Sequence, residues 1–137
     1  TPYRRVVSTV SVEDPAIPLD GRTLRDDIVD PSTGEIVAPA GARISDETVA
    51  AARAAGVKLV RIKPVASEII DYLSADREED VMIAQANTPL AADGEFIPEQ
   101  VIVRVGGGHR FPQVPAEQVS YMDVSPKQVV SVATSLI

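Results

Sequence analysis

The chain has 137 residues, of which 45% are hydrophobic and 24% charged, the balance of a soluble globular protein rather than a disordered one. Thirteen basic against twenty acidic residues leave a net charge of -7, which argues against a free-standing protein that grips nucleic acid. Cysteine is absent, so disulfides, thiolate metal sites and cysteine nucleophiles are excluded, and the apolar stretches are too short to span a membrane.

The chain opens with a predicted strand and continues into a predicted hairpin. Val6, Ser8 and Val10 alternate with Arg5, Val7 and Thr9, a period of two that is typical of a strand. Asp30–Gly34 contains proline at its second position and predicts a tight turn, after which Glu35–Ala38 forms the second strand of the pair.

The best-defined element of the sequence is a helix that begins after Ser45. The Ser45 hydroxyl is a good N-cap, and Asp46 and Glu47 place negative charge on the first turn, where the helix dipole favours it. Gly56 stands where a helix ends in a left-handed residue. A strand over Lys58–Lys63 follows and is expected to end at Pro64.

The second half of the chain is expected to be a meander of antiparallel strands. Tight turns are predicted at Asp93-Gly94 and at Gly106–Gly108. The strands are predicted over Ile70–Ala75, Val81–Ala86 and Gln100–Val105. Near the end, Ser125 through Gln128 resembles a capping box that begins a further helix.

An acidic run and three further aspartates are the first candidates for chemistry. Asp76–Asp80 supplies the carboxylates that a hard cation or an acid/base pair requires, but such a run between two strands is usually a solvated loop. A carboxylate hydrolase would need Asp76, Glu78 and Asp80 to converge in a cleft. Asp26, Asp27 and Asp30 lack the spacing of a calcium loop.

A glycine run and an aromatic-basic run are the remaining candidates. Gly106–Gly108 followed by His109 suggests a phosphate cradle, but no helix pattern follows, so a hairpin tip with an exposed histidine is favoured. Tyr3, Arg4 and Arg5 suggest a docking or phosphate contact, although charges on an edge strand usually serve solubility. We therefore assign no catalytic, cofactor-binding or metal-binding residue from these patterns.

Several strings of the sequence resemble one known family. The strings are Thr1–Arg4, Asp71–Asp76, Ile83–Leu90, Tyr121–Val129 and Ser131–Ala133. In order and spacing they are similar to a stretch of the bacterial DNA-directed RNA polymerase beta subunit, and the resemblance covers residues 1 to about 12 and about 68 to 137.

The resemblance implies an α+β fold in two parts. Residues 1–14 and 67–137 form an antiparallel β-rich host module, an external module of the beta subunit. Residues 15–66 form a small inserted β-β-α-β module at a hairpin tip, where insertion is tolerated best. Val6–Val10 is then expected to pair antiparallel with Ile69–Leu73, which requires the ends of the insert to lie close together. The insert more loosely resembles a small element of the polymerase's largest subunit.

The resemblance also implies a function. The chain would be an internal, non-catalytic structural fragment of a cytoplasmic nucleotidyltransferase that synthesises RNA on a DNA template. The Mg²⁺ of the parent enzyme would be held by the largest subunit, which is the chief partner, and the fragment itself would hold no cofactor. DNA and RNA would be met only through the full complex, a transcription factor or a neighbouring subunit would dock on the insert, and no membrane would be involved. The alternative is a stand-alone protein-protein interaction module without enzymatic activity.

Overall fold

The structure, a computed structural model, describes residues 1–124 and has an α+β fold, as predicted. The helix predicted from Ser125 lies outside the described residues. No helix within residues 1–124 is long and apolar enough to cross a membrane. The strands are β1 Pro2–Ser11, β2 Ile28–Val29, β3 Ile36–Ala38, β4 Leu59–Tyr72, β5 Ile83–Ala84, β6 Gln100–Arg104, β7 Gln113–Pro115 and β8 Tyr121–Asp123, and the helices are α1 Asp46–Ala54 and α2 Ala75–Glu78.

The chain divides into two compact units. One unit is Val7–Lys63, which we call the inner unit because it lies between the two parts of the other unit in the sequence. The other consists of Thr1–Val6 and the chain from Pro64 onward, which we call the outer unit. Strands β1 and β4 each begin in one unit and end in the other. The assignment of residues 15–66 as an insertion stays a prediction.

The inner unit contains the predicted hairpin and the predicted helix. β2 and β3 pair antiparallel, which confirms the hairpin. The Ser45 hydroxyl accepts a hydrogen bond from the Thr48 amide at the start of α1, which confirms the N-cap. Gly56 follows the C-cap with φ of +81°, as expected for a glycine that ends a helix. The buried side chains of this unit include Val12, Leu19, Leu24, Ile28, Ile44, Ala52, Val60 and Ile62.

The main sheet has six strands in the order β4-β1-β8-β5-β6-β7. The predicted antiparallel meander is confirmed for β5 and β6, which pair with each other, but it is wrong for β4, which β1 and β8 separate from β5. β8 inserts between β1 and β5, antiparallel to the first and parallel to the second. A meander pairs only strands that are neighbours in sequence, whereas β8 lies more than a hundred residues beyond β1. The core cluster on one face of the sheet includes Val6, Ala66, Ala84, Phe96, Val101, Val103 and Met122.

Pro64 does not end the strand that precedes it, contrary to the prediction. β4 continues through Pro64 to Tyr72 as a strand of 14 residues. Proline removes only its own N–H from a strand. Its carbonyl still accepts a hydrogen bond from the Phe96 amide at 2.9 Å. The predicted strand over Ile70–Ala75 is therefore the end of β4, and Ala75 instead begins α2.

The predicted register of β1 against β4 is also wrong. The Leu73 amide donates to the Thr1 carbonyl at 3.3 Å, and the Val12 amide donates to the Lys58 carbonyl at 3.0 Å. In an antiparallel pair fixed at these two ends, the partners of Val6–Val10 lie before Ile69. The expected register failed because it assumed a new strand after Pro64 rather than one continuous β4.

Candidate functional site

Polar and aromatic side chains from four strands of the outer unit gather on one face of the sheet, which we call the polar face. Tyr3 of β1 stands opposite Asp123 of β8, and Arg5 stands opposite Tyr121. On the other side of β8, Ile83 stands opposite both Tyr121 and Arg104. Directly opposed residues point to the same side of a sheet, so these side chains are neighbours.

Arg104 is the centre of the polar face. Its Nη2 lies 2.6 Å from Asp123 Oδ1 and 3.4 Å from the Tyr3 hydroxyl, and its guanidinium carbon lies 5.8 Å from the centroid of the Tyr3 ring. The hydrogen bonds to Tyr3 and Asp123 raise the pKa of Arg104 above its ordinary value. The guanidinium is therefore engaged by a carboxylate, a phenol oxygen and an aromatic face at once.

Tyr3 joins this centre to the acidic helix α2. Its ring is 2% exposed, and its hydroxyl donates to Glu78 Oε1 at 2.8 Å. Burial raises the pKa of the Tyr3 phenol, so the group stays protonated and keeps its donor role. The Tyr121 ring lies 6.3 Å from the Tyr3 ring, within the range of aromatic pairs.

A second ion pair joins β1 to β4. Arg5 binds Asp71 through two parallel hydrogen bonds of 2.7 and 2.9 Å, the geometry in which guanidinium and carboxylate match best. The hydrogen bonds from Arg5 lower the pKa of Asp71. Neighbouring Arg4 donates to the backbone carbonyls of Ala66 and Ser67 at 3.0 and 3.1 Å.

The aromatic-basic run and the glycine run lie in different parts of the main sheet. Tyr3, Arg4 and Arg5 make internal contacts, and their strand lies between β4 and β8, so the expectation that they stand on an edge strand is wrong. The glycine run forms the 3-10 turn Gly106–Gly108 at the tip of the β6–β7 hairpin, with His109 exposed, which confirms the hairpin tip.

The acidic candidates are not brought together. Asp76–Asp80 was expected in a loop, but its first part forms the one-turn helix α2, capped by the Ser74 hydroxyl. Glu78 turns toward Tyr3, whereas Asp76 and Asp80 are exposed. Within residues 1–124, no group of three or more histidine, aspartate or glutamate side chains is placed to hold a metal ion.

The three aspartates of the inner unit serve local structure. Asp26 pairs with Arg25 and lies 3.9 Å from Arg61, and Asp27 accepts from the Ala40 amide at 2.7 Å. Asp30 accepts from the amides of the turn that follows it, as turn aspartates commonly do.

Sequence reasoning did not identify Arg104, Asp123, Tyr121 or Asp71 as members of one cluster. In β6 the sequence alternates, and Arg104 lies on the face opposite to the buried Val101 and Val103. That signal locates a side chain on a face but names no partner, because the partners come from other strands.

The sequence was compared with known proteins. The profile of the family described as "RNA polymerase beta subunit external 1 domain" matches residues 57–125. The DNA-directed RNA polymerase subunit beta of Leifsonia xyli is 57% identical over 68 residues, which is 50% of this chain and 6% of that protein. The same subunit of Paenarthrobacter aurescens is 57% identical over 74 residues, 53% of this chain and 6% of that protein.

A third relative covers the whole chain. The DNA-directed RNA polymerase subunit beta of Chloroflexus aggregans is 47% identical over 175 aligned residues, which include 100% of this chain and 14% of that protein. The chain thus spans between 6% and 14% of the length of these relatives.

Fold and polar face together define an α+β module with a mixed, mostly antiparallel sheet whose charged side chains pair across strands. The family profile, which matches residues 57–125, and the relatives above make the identification specific. The chain belongs to the RNA polymerase beta subunit family.

Removal of the Arg104 guanidinium is expected to destabilise the fold. Arg104→Met keeps the aliphatic stem but leaves Asp123 and the Tyr3 hydroxyl without their donor, so we expect a loss of about 1–2 kcal/mol of unfolding free energy. Urea denaturation followed by circular dichroism measures this loss. Arg110→Met is the matched control, because Arg110 is exposed at the hairpin tip. Equal losses for the two variants would contradict the assigned role of Arg104.

The Arg5–Asp71 pair is expected to make the unfolding free energy depend on pH. An acid whose pKa is lowered by folding stabilises the native state above its unfolded pKa, about 3.9 for aspartate, and loses that contribution as the pH falls through its folded pKa. Asp71→Asn should therefore destabilise the chain at pH 6, and the difference should shrink as the pH falls below about 4. Urea titrations between pH 2.5 and 7 measure the difference.

The control for this experiment is Asp76→Asn at the exposed start of α2. Asp71→Asn and Asp76→Asn remove the same charge, but of these two aspartates only Asp71 forms a two-bonded pair with an arginine of the described chain. A stability difference for Asp71→Asn that stays constant from pH 7 to pH 2.5 would refute the pairing.

Proposed function

We propose that this chain is a non-catalytic structural part of the beta subunit of a bacterial DNA-directed RNA polymerase, a nucleotidyltransferase that synthesises RNA on a DNA template. Its partners are the other polymerase subunits, chiefly the largest subunit, which holds the catalytic Mg²⁺. It meets DNA and RNA only within the full complex, which works in the cytoplasm. The names of the relatives support the parent enzyme.

The observation that carries the structural role is the mutual engagement of charges on the polar face. Arg5 is bound by Asp71, Arg104 by Asp123, and the Tyr3 hydroxyl by Glu78. A catalytic acid or base must reach a substrate proton, whereas these groups spend their hydrogen bonds on one another. Arg104 of β6 bonds both Asp123 of β8 and Tyr3 of β1, and it thereby holds β8 in its place between β1 and β5.

The lining of a groove in the outer unit also supports a structural rather than a catalytic role. Its volume is about 270 Å³, and its lining includes Gln85, Thr88, Pro89, Gln100 and Ile102. The lining side chains are amide, hydroxyl or apolar, and none of them is Asp, Glu, His, Lys or Arg. Such a surface supplies hydrogen bonds and contact area, but it has no side chain that titrates near neutral pH.

Reconstituted polymerase tests the structural role. The Arg104→Met subunit should assemble into an enzyme that loses activity at a lower temperature, while its rate of ribonucleotide incorporation per assembled enzyme at 25 °C equals that of the parent. Arg110→Met serves again as the control. Ribonucleotide incorporation by the isolated chain, or a lowered rate in fully assembled Arg104→Met enzyme, would overturn the proposal.

We also propose that the inserted module is a lineage-specific surface element that docks a transcription factor. Two relatives match only 50% and 53% of the chain, whereas a third matches all of it, which supports variation within the family. Val12 and Lys58 are joined by a backbone hydrogen bond of 3.0 Å, so residues 13–57 can be replaced by Asn-Gly to give a two-residue hairpin. This deletion should leave assembly and basal synthesis intact. Loss of assembly would assign the module to assembly instead.

A further inference from the structure

The inner unit carries a cluster of cations on one side of a short antiparallel ladder. Leu24 stands opposite Ile62 in this ladder, and both side chains are 0% exposed, so the pair points into the core. The Arg25 amide donates to the Arg61 carbonyl at 3.0 Å, directly beside that pair. Because successive side chains of an extended chain alternate between its two sides, Arg25 and Arg61 point away from the core. The Arg61 side chain is 60% exposed and that of Arg25 is 27% exposed.

Two further cations lie on the same side of the ladder. The Lys63 amide donates to the Thr23 carbonyl at 2.9 Å, and Thr23 stands opposite Arg43 on the next segment. Opposed residues share a face, so these three residues form a row across the ladder. Thr23 is buried, whereas Arg43 and Lys63 are exposed. We call the cations of this side the basic face, and they are Arg25, Arg43, Arg61 and Lys63.

The basic face keeps most of its positive charge. Within residues 1–124, the ion pairs of its four cations all involve Asp26, which lies 3.4 Å from Arg25 and 3.9 Å from Arg61. Arg43 donates a hydrogen bond to the Gly21 carbonyl, which leaves its charge in place. Positive charge is thus concentrated locally in a chain whose net charge is -7. Such a local excess attracts a partner of opposite charge.

An acidic protein segment fits the basic face better than nucleic acid does. Proteins that grip a phosphate backbone make about 6–10 phosphate contacts, and four cations that share a carboxylate supply fewer. Residues 7–63 contain no Phe, Tyr or Trp, so the inner unit has no ring on which a base could stack. Leu59, two residues before Arg61 in β4, lies on the same side and is 61% exposed. A peptide with an apolar residue among its acids matches both features.

We propose that the basic face is the surface through which the inserted module docks its transcription factor, and that the factor presents a segment rich in aspartate and glutamate. The arginines bind its carboxylates through paired N–H groups, and Leu59 contacts an apolar residue of the same segment. This inference deepens the proposed docking of a factor on the insert and rests on it.

A synthetic peptide tests the chemistry of the basic face. The probe is a fluorescein-labelled peptide of glutamates interrupted by one leucine, and its binding to the 137-residue chain is measured by fluorescence anisotropy. Arg61→Glu combined with Lys63→Glu should weaken binding by about tenfold or more, because two attractive contacts become repulsive. Arg61→Lys combined with Lys63→Arg keeps both charges and should bind within about twofold of the parent, which shows that changes at these positions preserve the fold.

The charge-matched control lies in the outer unit. Arg77→Glu combined with Arg110→Glu changes the net charge by the same amount at two exposed positions, and binding should change by no more than about twofold. Equal weakening by the two double glutamate variants, or no peptide binding to the parent chain, would overturn the proposal. Tighter binding of a single-stranded DNA of the same charge as the peptide, if it depends on Arg61 and Lys63, would overturn it in favour of nucleic acid.

A photo-crosslinker in the assembled polymerase identifies the partner. With p-benzoylphenylalanine in place of Leu59, polymerase purified with its bound factors should form a covalent product with an acidic segment of a protein that is not a polymerase subunit. Arg61→Glu combined with Lys63→Glu should lower the yield by about tenfold. The same crosslinker in place of Phe111, which is 55% exposed on the β6–β7 hairpin, is the control for random contact.

The outcomes separate this inference from the function on which it rests. A product with DNA, with another polymerase subunit or with a segment that is not acidic, or no product, would overturn the docking role of the basic face. RNA synthesis by the same sample reports on the parent enzyme independently. If the chain does not co-purify with RNA synthesis, the proposed function fails as well.

Discussion

Replacing Leu24 with alanine is expected to lower the unfolding free energy of the inner unit by about 3–4 kcal/mol, the range for a fully buried leucine. Leu24 is 0% exposed and stands opposite Ile62, which is also 0% exposed. The backbone around it is fixed by hydrogen bonds from the Leu24 amide to Ala42 and from the Gly41 amide to Leu24. The neighbours therefore cannot close in on the missing side chain, and a cavity remains.

The control for this variant is Ile36→Ala in β3 of the same unit. Ile36 is 59% exposed, so its truncation removes little packing and should change stability by less than about 1 kcal/mol. Hydrogen exchange of the α1 amides, measured against urea, reports the stability of this unit. Similar losses for the two variants would show that Leu24 is not in the core.

The elements that sequence alone predicted are those whose signals are local. α1 is specified by Ser45, by the acids of its first turn and by Gly56, and all of these act within the helix or next to it. The hairpin of β2 and β3 is likewise specified by the turn at Asp30, whose carboxylate accepts amides two and three residues later. A local reading suffices where the stabilising contacts are themselves local.

The predictions that failed concern features that depend on pairing between residues far apart in the sequence. Pro64 is a sound local stop signal, but Phe96 satisfies its carbonyl and the strand passes through. The place of β8 between β1 and β5 depends on pairings such as Tyr3 with Asp123, which no short window contains. The polar face follows the same rule, because Arg104 meets Tyr3 across 101 positions of sequence. The family resemblance, rather than the residue patterns, indicated the parent protein.

Gly94→Ala is expected to lower the unfolding free energy by about 2–4 kcal/mol, more than any other glycine-to-alanine substitution in the outer unit. Gly94 has φ of +88°, a conformation that alone costs an alanine about 1–2 kcal/mol. A methyl group there would also lie 2.7 Å from the Ala66 carbonyl oxygen. That oxygen belongs to β4, and the Gly94 carbonyl accepts the Ala66 amide, so neither backbone can withdraw without breaking this bond.

Gly106→Ala separates the two causes. Gly106 also has positive φ, +60°, but an added methyl group would meet nothing within 4 Å, so only the conformational cost applies. Urea denaturation should place Gly94→Ala at least about 1 kcal/mol below Gly106→Ala. Equal stabilities would mean that the turn at Gly94 yields without disturbing β4. The predicted difference follows because the atom that the added methyl group would meet is backbone, held by the hydrogen bond between Ala66 and Gly94.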